Sequence, residues 1–313
     1  MASQRVIVVG NGRMAQLCCE ILLANSAATV ELVVAEQRND GAQLRLARFC
    51  QAAELPLLQP DTGIGADAVL AAIAARRPDF IFSIDNFQIF GSALLGLARS
   101  GCINFHNGPI ERYRGVHAPS WAIFNDEKEH GITWHYMERS VDAGAIAAED
   151  RFALAGTETA LSLTLECIRV GVNAFKRHLG SILAGDRTRA PVIADAKHYR
   201  RSDLPDGGVL NPRSTAAHIG RLLRATDFRP FPNPFTYVRL NCPRGSLLVN
   251  EVHALGENSH YEPGEIVAAD QQLIVACADR LLAFSAVMLR PDETVSVADA
   301  VASLDLRVGQ RLT

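Results

Sequence analysis

The sequence predicts an α/β protein: an open, mostly parallel sheet flanked by helices, followed by a smaller all-β module. Three observations carry this. Short β-branched runs alternate with helical stretches through the first half of the chain, the pattern of βαβ units. From Phe235 onward short β runs follow one another, at a spacing that predicts a small β-barrel or β-sandwich. The length of 313 residues also fits two domains, at roughly 100–200 residues each.

The elements can be justified in order. Arg5–Val9 is a β-branched run closed by Gly10, and Met14–Ala24 has apolar residues at helical spacing. Val30–Ala35 reads as a second strand, and residues 41–54 and 65–77 read as helices. Phe80–Ile84 and Cys102–Phe105 are buried-strand runs, and Ile132–Met137 alternates like a strand with one wet face. Thr159–Leu183 is a long helix with Gly171 and Gly180 as weak spots. Residues 186–213 are rich in Arg, Asp, Pro and Gly and read as a linker. Residues 214–226 form a short helix with Ile219, Leu222 and Leu223 on one face. Strands are then expected at 235–240, 246–252, 264–268, 273–276 and 281–288.

Composition narrows the function. Hydrophobic residues make up 48% of the chain and charged residues 21%, which excludes disordered and collagen-like classes. Lys plus Arg is 31 and Asp plus Glu is 34, so the formal charge is −3. That balance argues against nucleic acid or an anionic membrane as the main partner. No apolar run reaches the roughly 18 residues of a spanning helix. The first residues, Met1-Ala2-Ser3-Gln4-Arg5, lead straight into a strand-like run, so no signal peptide is expected and a cytoplasmic location is. Cys18, Cys19, Cys50, Cys102, Cys167, Cys242 and Cys277 are odd in number and contain no C-x-x-C pair. No zinc site or disulfide framework is expected, and the thiols read as small buried hydrophobes.

Gly10-Asn11-Gly12-Arg13-Met14-Ala15 fits G-x-G-x-x-G/A after a strand, and Glu36 follows at the end of the next strand. This is the layout of a dinucleotide-binding turn. It is equally the layout of a tight strand-to-helix turn in an open α/β sheet, and both readings stand on the residues alone.

The densest polar chemistry lies at Asn104-Phe105-His106-Asn107-Gly108-Pro109, Tyr113-Arg114-Gly115 and Val141-Asp142-Ala143-Gly144. Asn104 and His106 are two apart on a strand and share a face, at the end where open α/β sheets bind ligands. A histidine moves protons near neutral pH, a nearby carboxylate such as Asp142 orients it, and an Asn amide donates to a developing oxyanion. No Ser or Cys stands beside His106, which favours direct transfer to an incoming nucleophile over a covalent intermediate. Hydrogen-bonded loop polars with no catalytic part would carry the same pattern. His117, His130 and His135 read as structural or exposed, and Trp121 and Trp134 as core. Arg114 would either contact an anionic group of a substrate or steady its own loop.

These segments resemble the folate-dependent formyltransferase family. Asn104-Phe105-His106 is similar to its Asn-x-His strand end, Pro109 to Gly115 to its Pro-x-Tyr-Arg-Gly-type loop, and Asp142-Ala143-Gly144 to its Asp-x-Gly loop. Gly131-Ile132-Thr133-Trp134-His135 is similar to its Gly-Val-Thr-x-His strand. Asn107-Gly108-Pro109-Ile110 departs from the usual Ser-Leu-Leu-Pro, where the acceptor amine docks. Arg229 to Val238 resembles the Pro-rich entry into the family's C-terminal β domain.

The resemblance implies a Rossmann-like sheet over residues 1–190, a linker with a short helix over 191–228, and an OB-like small β-barrel over 229–313. It implies 10-formyltetrahydrofolate as formyl donor and no metal, with Asn104, His106 and Asp142 catalytic and a protonated His106 helping to stabilise the oxyanion. Phe82, Ile84, Asp85, Asn86, Val141 and Gly144 would line the pterin pocket, and Asn107, Gly108, Tyr113 and Arg114 would meet the acceptor. The expected acceptor is a primary amine on a small molecule or a carrier-protein-bound amino acid, since the segments look closest to formyltransferase domains of peptide natural-product assembly. A nucleotide-linked amino sugar or methionyl-tRNA are the alternatives within the family. Outside it stand an NAD-dependent oxidoreductase using Gly10, Gly12, Ala15 and Glu36, and a non-catalytic binding module. The sequence leaves the oligomeric state open.

Overall fold

The computed structural model describes residues 3–37, 41–186, 197–258, 260–291 and 293–313. The first part runs β1 (Gln4–Gly10), α1 (Gly12–Leu23), β2 (Ala28–Val34), α2 (Gly41–Ala52), β3 (Leu57–Leu58), α3 (Asp67–Ala74), β4 (Phe80–Ile84), α4 (Ser92–Leu95) and β5 (Gly101–His106). It continues with β6 (Tyr113–Gly115), α5 (Ala118–Phe124), β7 (Glu129–Tyr136), β8 (Ile146–Ala153), α6 (Ala160–Leu183) and β9 (Lys197–Tyr199). The remainder is α7 (Ala216–Ala225), β10 (Val238–Cys242), β11 (Gly245–Glu257), β12 (Ile266–Ala269), β13 (Leu273–Ala276), β14 (Arg280–Arg290), β15 (Glu293–Val295) and α8 (Val297–Leu304).

Seven strands form one sheet in the order β3-β2-β1-β4-β5-β7-β8. β3, β2, β1, β4 and β5 run parallel and β7 is antiparallel to β5. This is the expected Rossmann-like, mostly parallel sheet, and its chain order reverses between β1 and β4. At such a reversal the strand ends diverge and leave a crevice beyond their carboxyl ends. Val6 to Val9 and Phe80 to Ile84 are buried throughout, as strands covered on both faces must be. One face is cemented by aromatics: Phe175 of α6 lies edge-on to Phe82 at 5.2 Å and tilted on Trp134 at 4.8 Å. Burying each such ring contributes about 1.5–3 kcal/mol.

The second sheet is antiparallel, in the order β10-β11-β14-β13-β12, with β15 on β14. Register shifts along β11 between Val249 and Glu257 mark bulges, which bend and twist a long strand. Its core joins Leu240, Leu247, Val275 and Leu282 to Ile219 and Leu222 of α7 and Leu304 of α8. α7 starts where expected because Thr215 accepts the His218 N–H at 3.3 Å.

Two compact units emerge, and they interleave along the chain. The first is Met1–Gly115, His130–Phe152 and Leu165–His198, and the second is Val116–Glu129, Ala153–Thr164 and Tyr199–Thr313. The division expected at residue 190 is linear; the second unit also takes up α5, which packs on α7. Residues 187–196 of the expected linker lie outside the described residues. α5, β8 and α8 go beyond the sequence reading. α5 is one short turn-rich helix opening on Ala118-Pro119, and β8 starts Ile146-Ala147-Ala148-Glu149, with little β-branching to announce it. α8 did carry a signal, since the Ser296 hydroxyl accepts the Asp299 N–H at 3.0 Å as its N-cap. All seven cysteines are free thiols, and burial pushes the Cys102 thiol up to about 12.

Candidate active site

The site is built on the carboxyl end of β5, within the first unit. Strand alternation puts Asn104 and His106 on one face, and antiparallel pairing sets Asn104 opposite His135 and His106 opposite Thr133 of β7. Asn104 Nδ2 is 3.3 Å from His135 Nε2, and His135 Nε2 is 3.3 Å from Asp142 Oδ1. His135 Nδ1 lies 3.0 Å from the carbonyl of Tyr136. His106 Nε2 donates to the Tyr113 carbonyl at 2.6 Å, and His106 Nδ1 faces Asp142 Oδ2 at 3.7 Å. A carbonyl only accepts, so the Nε2 atom of His106 carries the proton and Nδ1 is the nitrogen left for chemistry.

Asp142 is delivered by a tight loop between β7 and β8. Its own backbone is left-handed, at φ 49°, a conformation that Asp tolerates better than most residues. Gly144 follows because the loop passes directly under Tyr136: a Cβ there would sit 1.9 Å from the Tyr136 carbonyl oxygen. The Gly115 N–H donates to Asp142 Oδ2 at 2.7 Å. Arg114 Nε donates to the Val141 carbonyl at 3.0 Å and its Nη2 to the Ser140 hydroxyl at 3.2 Å, so the guanidinium ties this loop down.

Burial sets the electrostatics. Desolvation pushes the His106 pKa below its ordinary 6.5, against the opposing pull of Asp142, with His135 lowering it further. The resting imidazole of His106 therefore favours its neutral form at pH 7, with Nδ1 able to take up a proton. Burial alone would raise the Asp142 pKa. The His106 and His135 imidazoles and the Gly115 N–H outweigh it, and hold the carboxyl well below the usual carboxylate range.

The backbone beyond His106 is also held. His130 Nε2 donates to the Asn107 carbonyl at 2.9 Å, with Cys167 Sγ 3.6 Å from the same oxygen, and the Thr133 hydroxyl donates to the Gly108 carbonyl at 2.9 Å.

The structure brings Asn104, His106 and Asp142 together and adds His135, which the sequence reading had set aside as structural. The sequence signal for it is the Gly131-Ile132-Thr133-Trp134-His135 stretch, whose His ends the segment similar to the family's Gly-Val-Thr-x-His strand. The other expected residues are placed as follows. Phe82 and Ile84 are wholly buried, with Phe82 packed on Trp134 and Phe175, so at this strand end it is backbone rather than these side chains that is left to meet a ligand. The large apolar side chains that the next loop does present are Phe87 and Ile89, the latter 78% exposed. Asp85 is exposed, at φ 50°, and Asn86 Nδ2 donates to Ser83 Oγ and the Gln88 carbonyl. Tyr113 is buried and contributes its carbonyl, because its ring turns inward against His130. Gly108 is buried with its carbonyl engaged, and Arg114 is committed to the Asp142 loop. Asn107 remains half-buried beside His106.

The N-terminal glycines are explained by packing. A Cβ on Gly10 would lie 2.5 Å from the Ile84 carbonyl oxygen, and Gly12 has φ +62°. Asn11 is 2% exposed and bridges strand ends, donating to the Asp85 carbonyl at 3.1 Å and accepting the Glu36 N–H at 2.9 Å. The Gly12 N–H, which a pyrophosphate would take in a dinucleotide site, points at Gln43 Oε1 at 3.4 Å. Glu36 in turn accepts from Gln88 Nε2 at 3.2 Å. Among the described residues no cluster of three or more His, Cys, Asp or Glu could hold a metal ion, and no helix is long and apolar enough to cross a membrane.

A buried neutral imidazole backed by a carboxylate, beside a carboxamide and at a parallel strand end, suits group transfer to an external nucleophile. Comparison with known proteins supplies the family. Residues 4–179 match the formyl transferase family and residues 206–304 its C-terminal domain. The chain belongs to the formyl transferase family and is an enzyme that transfers a formyl group. It is 31% identical over 229 residues to a GDP-perosamine N-formyltransferase of Brucella melitensis biotype 1, covering 73% of this chain and 86% of the relative. It is 24% identical over 317 residues to a methionyl-tRNA formyltransferase of Alkaliphilus oremlandii, covering 98% and 99%. Among solved structures it resembles an N-formyltransferase of Helicobacter canadensis in complex with folinic acid and dTDP-3-aminofucose, with TM-score 0.64, 16% identity, and 91% and 99% coverage. It also resembles HypX of Aquifex aeolicus, with TM-score 0.64, 16% identity, and 97% and 49% coverage. At these identities the structural likeness speaks for the fold.

Proposed function

We propose that this chain moves the formyl group of 10-formyltetrahydrofolate to a primary amine of a small molecule, with a nucleotide-linked amino sugar as the leading acceptor class. The observation that carries it is the joined Asn104–His106–Asp142–His135 cluster at the end of β5, in a chain of this family. The GDP-perosamine relative supports the sugar class.

In the reaction the amine attacks the formyl carbon, a C–N bond forms, and the carbonyl oxygen becomes an oxyanion. The Asn104 amide donates to that oxygen. His106 Nδ1 takes the proton released by the amine, and Asp142, ionised at 3.7 Å, stabilises the resulting imidazolium. The proton then goes to the leaving nitrogen as the old C–N bond breaks, releasing tetrahydrofolate and the formamide. His135 and the Gly115 N–H hold Asp142 in the required orientation. Phe87 and Ile89 offer apolar contact to the folate ring system, and Asn107 faces the acceptor.

The test is tetrahydrofolate release from 10-formyltetrahydrofolate with a panel of amines: amino-sugar nucleotides, free amino acids, aminoacyl carrier protein, and no amine. Release is expected only with an amine, and foremost with an amino-sugar nucleotide. Asn104→Ala and His106→Ala should each lower the rate about 100- to 1,000-fold. Formate release at full rate without any amine would make the protein a hydrolase instead.

A further inference from the structure

His130 takes no part in the chemistry above, yet its surroundings are unusual. The residue is wholly buried, at 0% exposure, at the start of β7. Its Nε2 donates to the Asn107 carbonyl at 2.9 Å, and its Nδ1 is buried with no hydrogen-bond partner among the described residues. Its ring packs edge-on against Tyr113 at 6.1 Å and Phe152 at 6.0 Å. An apolar ring of the same shape would fill this space without stranding a polar atom, so the imidazole is accounted for by the one bond that it donates.

That bond lies next to the catalytic histidine on both sides. Asn107 directly follows His106 in the chain. Tyr113, on which the His130 ring packs, supplies the carbonyl that takes the His106 Nε2–H at 2.6 Å. We infer that His130 is a positioning residue. By fixing the Asn107 carbonyl and the Tyr113 segment together, it sets the ring plane of His106 and keeps its proton on Nε2, with Nδ1 turned to Asp142. Burial pushes the His130 pKa down to about 4, so its donor state does not change across the working pH range. The inference rests on the formyl-transfer reading for its kinetic arm alone.

Two variants separate positioning from packing. His130→Phe keeps the ring and removes the donor. His130→Gln removes the ring and returns a donor at a similar reach. His130→Phe is expected to lower kcat about 10- to 100-fold, the usual cost of a displaced catalytic group. The KM for 10-formyltetrahydrofolate and the melting temperature should stay close to wild type, and His130→Gln should recover most of the loss. A second readout needs no turnover: the side-chain 15N shifts of His106 should report a single Nε2–H tautomer in the wild type and a mixture in His130→Phe. Unchanged kcat in His130→Phe, no recovery in His130→Gln, or an unchanged His106 tautomer would each overturn the inference. If the wild type formylates no amine, the reaction reading fails, and the tautomer measurement still decides the role of His130.

Discussion

His106 has its acidity set by two opposed effects, and the opposition can be measured. Desolvation lowers its pKa below 6.5 while Asp142 pulls it back up. If the neutral imidazole is the base, as proposed, kcat/KM should be flat at neutral and mildly alkaline pH. It should fall as pH drops through the His106 pKa. In Asp142→Asn the upward pull is gone, so this acid limb should move to lower pH, while the plateau falls by about 10²–10⁴-fold because the imidazolium loses its partner. A pH–rate profile of both proteins reads the two effects separately, and an acid limb moving to higher pH would contradict the assignment. Asn104, His106 and Asp142 were legible in the sequence because strand alternation and a Gly-bounded loop are local patterns. His135 was legible only as the end of a family-like strand, since its nearness to Asn104 and Asp142 depends on which strand pairs with β5 and in what register. Phe82 and Ile84 stand in a run that is apolar on both faces, and such a run does not say which carboxyl-end atoms would face a ligand.

α6 makes the corresponding case for whole elements. Its 24 residues were readable because the apolar period is long and regular, whereas α5 has only seven residues and β8 has a single β-branched residue, Ile146, in eight. The two glycines that looked alike as weak spots differ completely in place. A Cβ on Gly171 would meet the Phe105 ring at 2.3 Å and the Met14 methyl at 3.1 Å, and the Gly171 carbonyl accepts the Trp134 indole N–H at 3.0 Å. Phe105 sits between Asn104 and His106, so crowding here reaches the site. Gly180 has nothing within 4 Å. Gly171→Ala should therefore destabilise the protein by about 1–3 kcal/mol through overpacking. Gly180→Ala should stabilise it by about 0.5–1 kcal/mol, the helical cost of glycine. Urea unfolding followed by circular dichroism gives both signs, and two variants moving the same way would refute the packing account.

Charge and its distribution over the whole chain bear on the acceptor, where the two most informative relatives point in different directions. The methionyl-tRNA enzyme aligns along nearly the full length, the sugar enzyme over less of the chain but at higher identity. A protein that grips tRNA needs a surface of cations free to meet phosphates. Here the chain is −3, and several arginines of the second unit lie against carboxylates. Arg229 pairs with Asp227 at 2.8 Å and Glu251 at 3.3 Å, Arg244 with Asp305 at 2.8 Å, and Arg307 with Asp305 at 3.0 Å. Each such cation would have to give up a carboxylate before it could take a phosphate. A nucleotide-linked sugar brings only a diphosphate, which asks for one or two contacts. The expected outcome is that methionyl-tRNA is not formylated, and that kcat/KM for an amino-sugar nucleotide falls only gently between low and physiological salt. Binding of a long nucleic acid would instead weaken by about 10³–10⁵-fold over such a range when 6–10 phosphates are neutralised. Formylation of methionyl-tRNA with that steep salt dependence would move the acceptor to the nucleic-acid class, while leaving the chemistry of His106 and Asn104 where it stands.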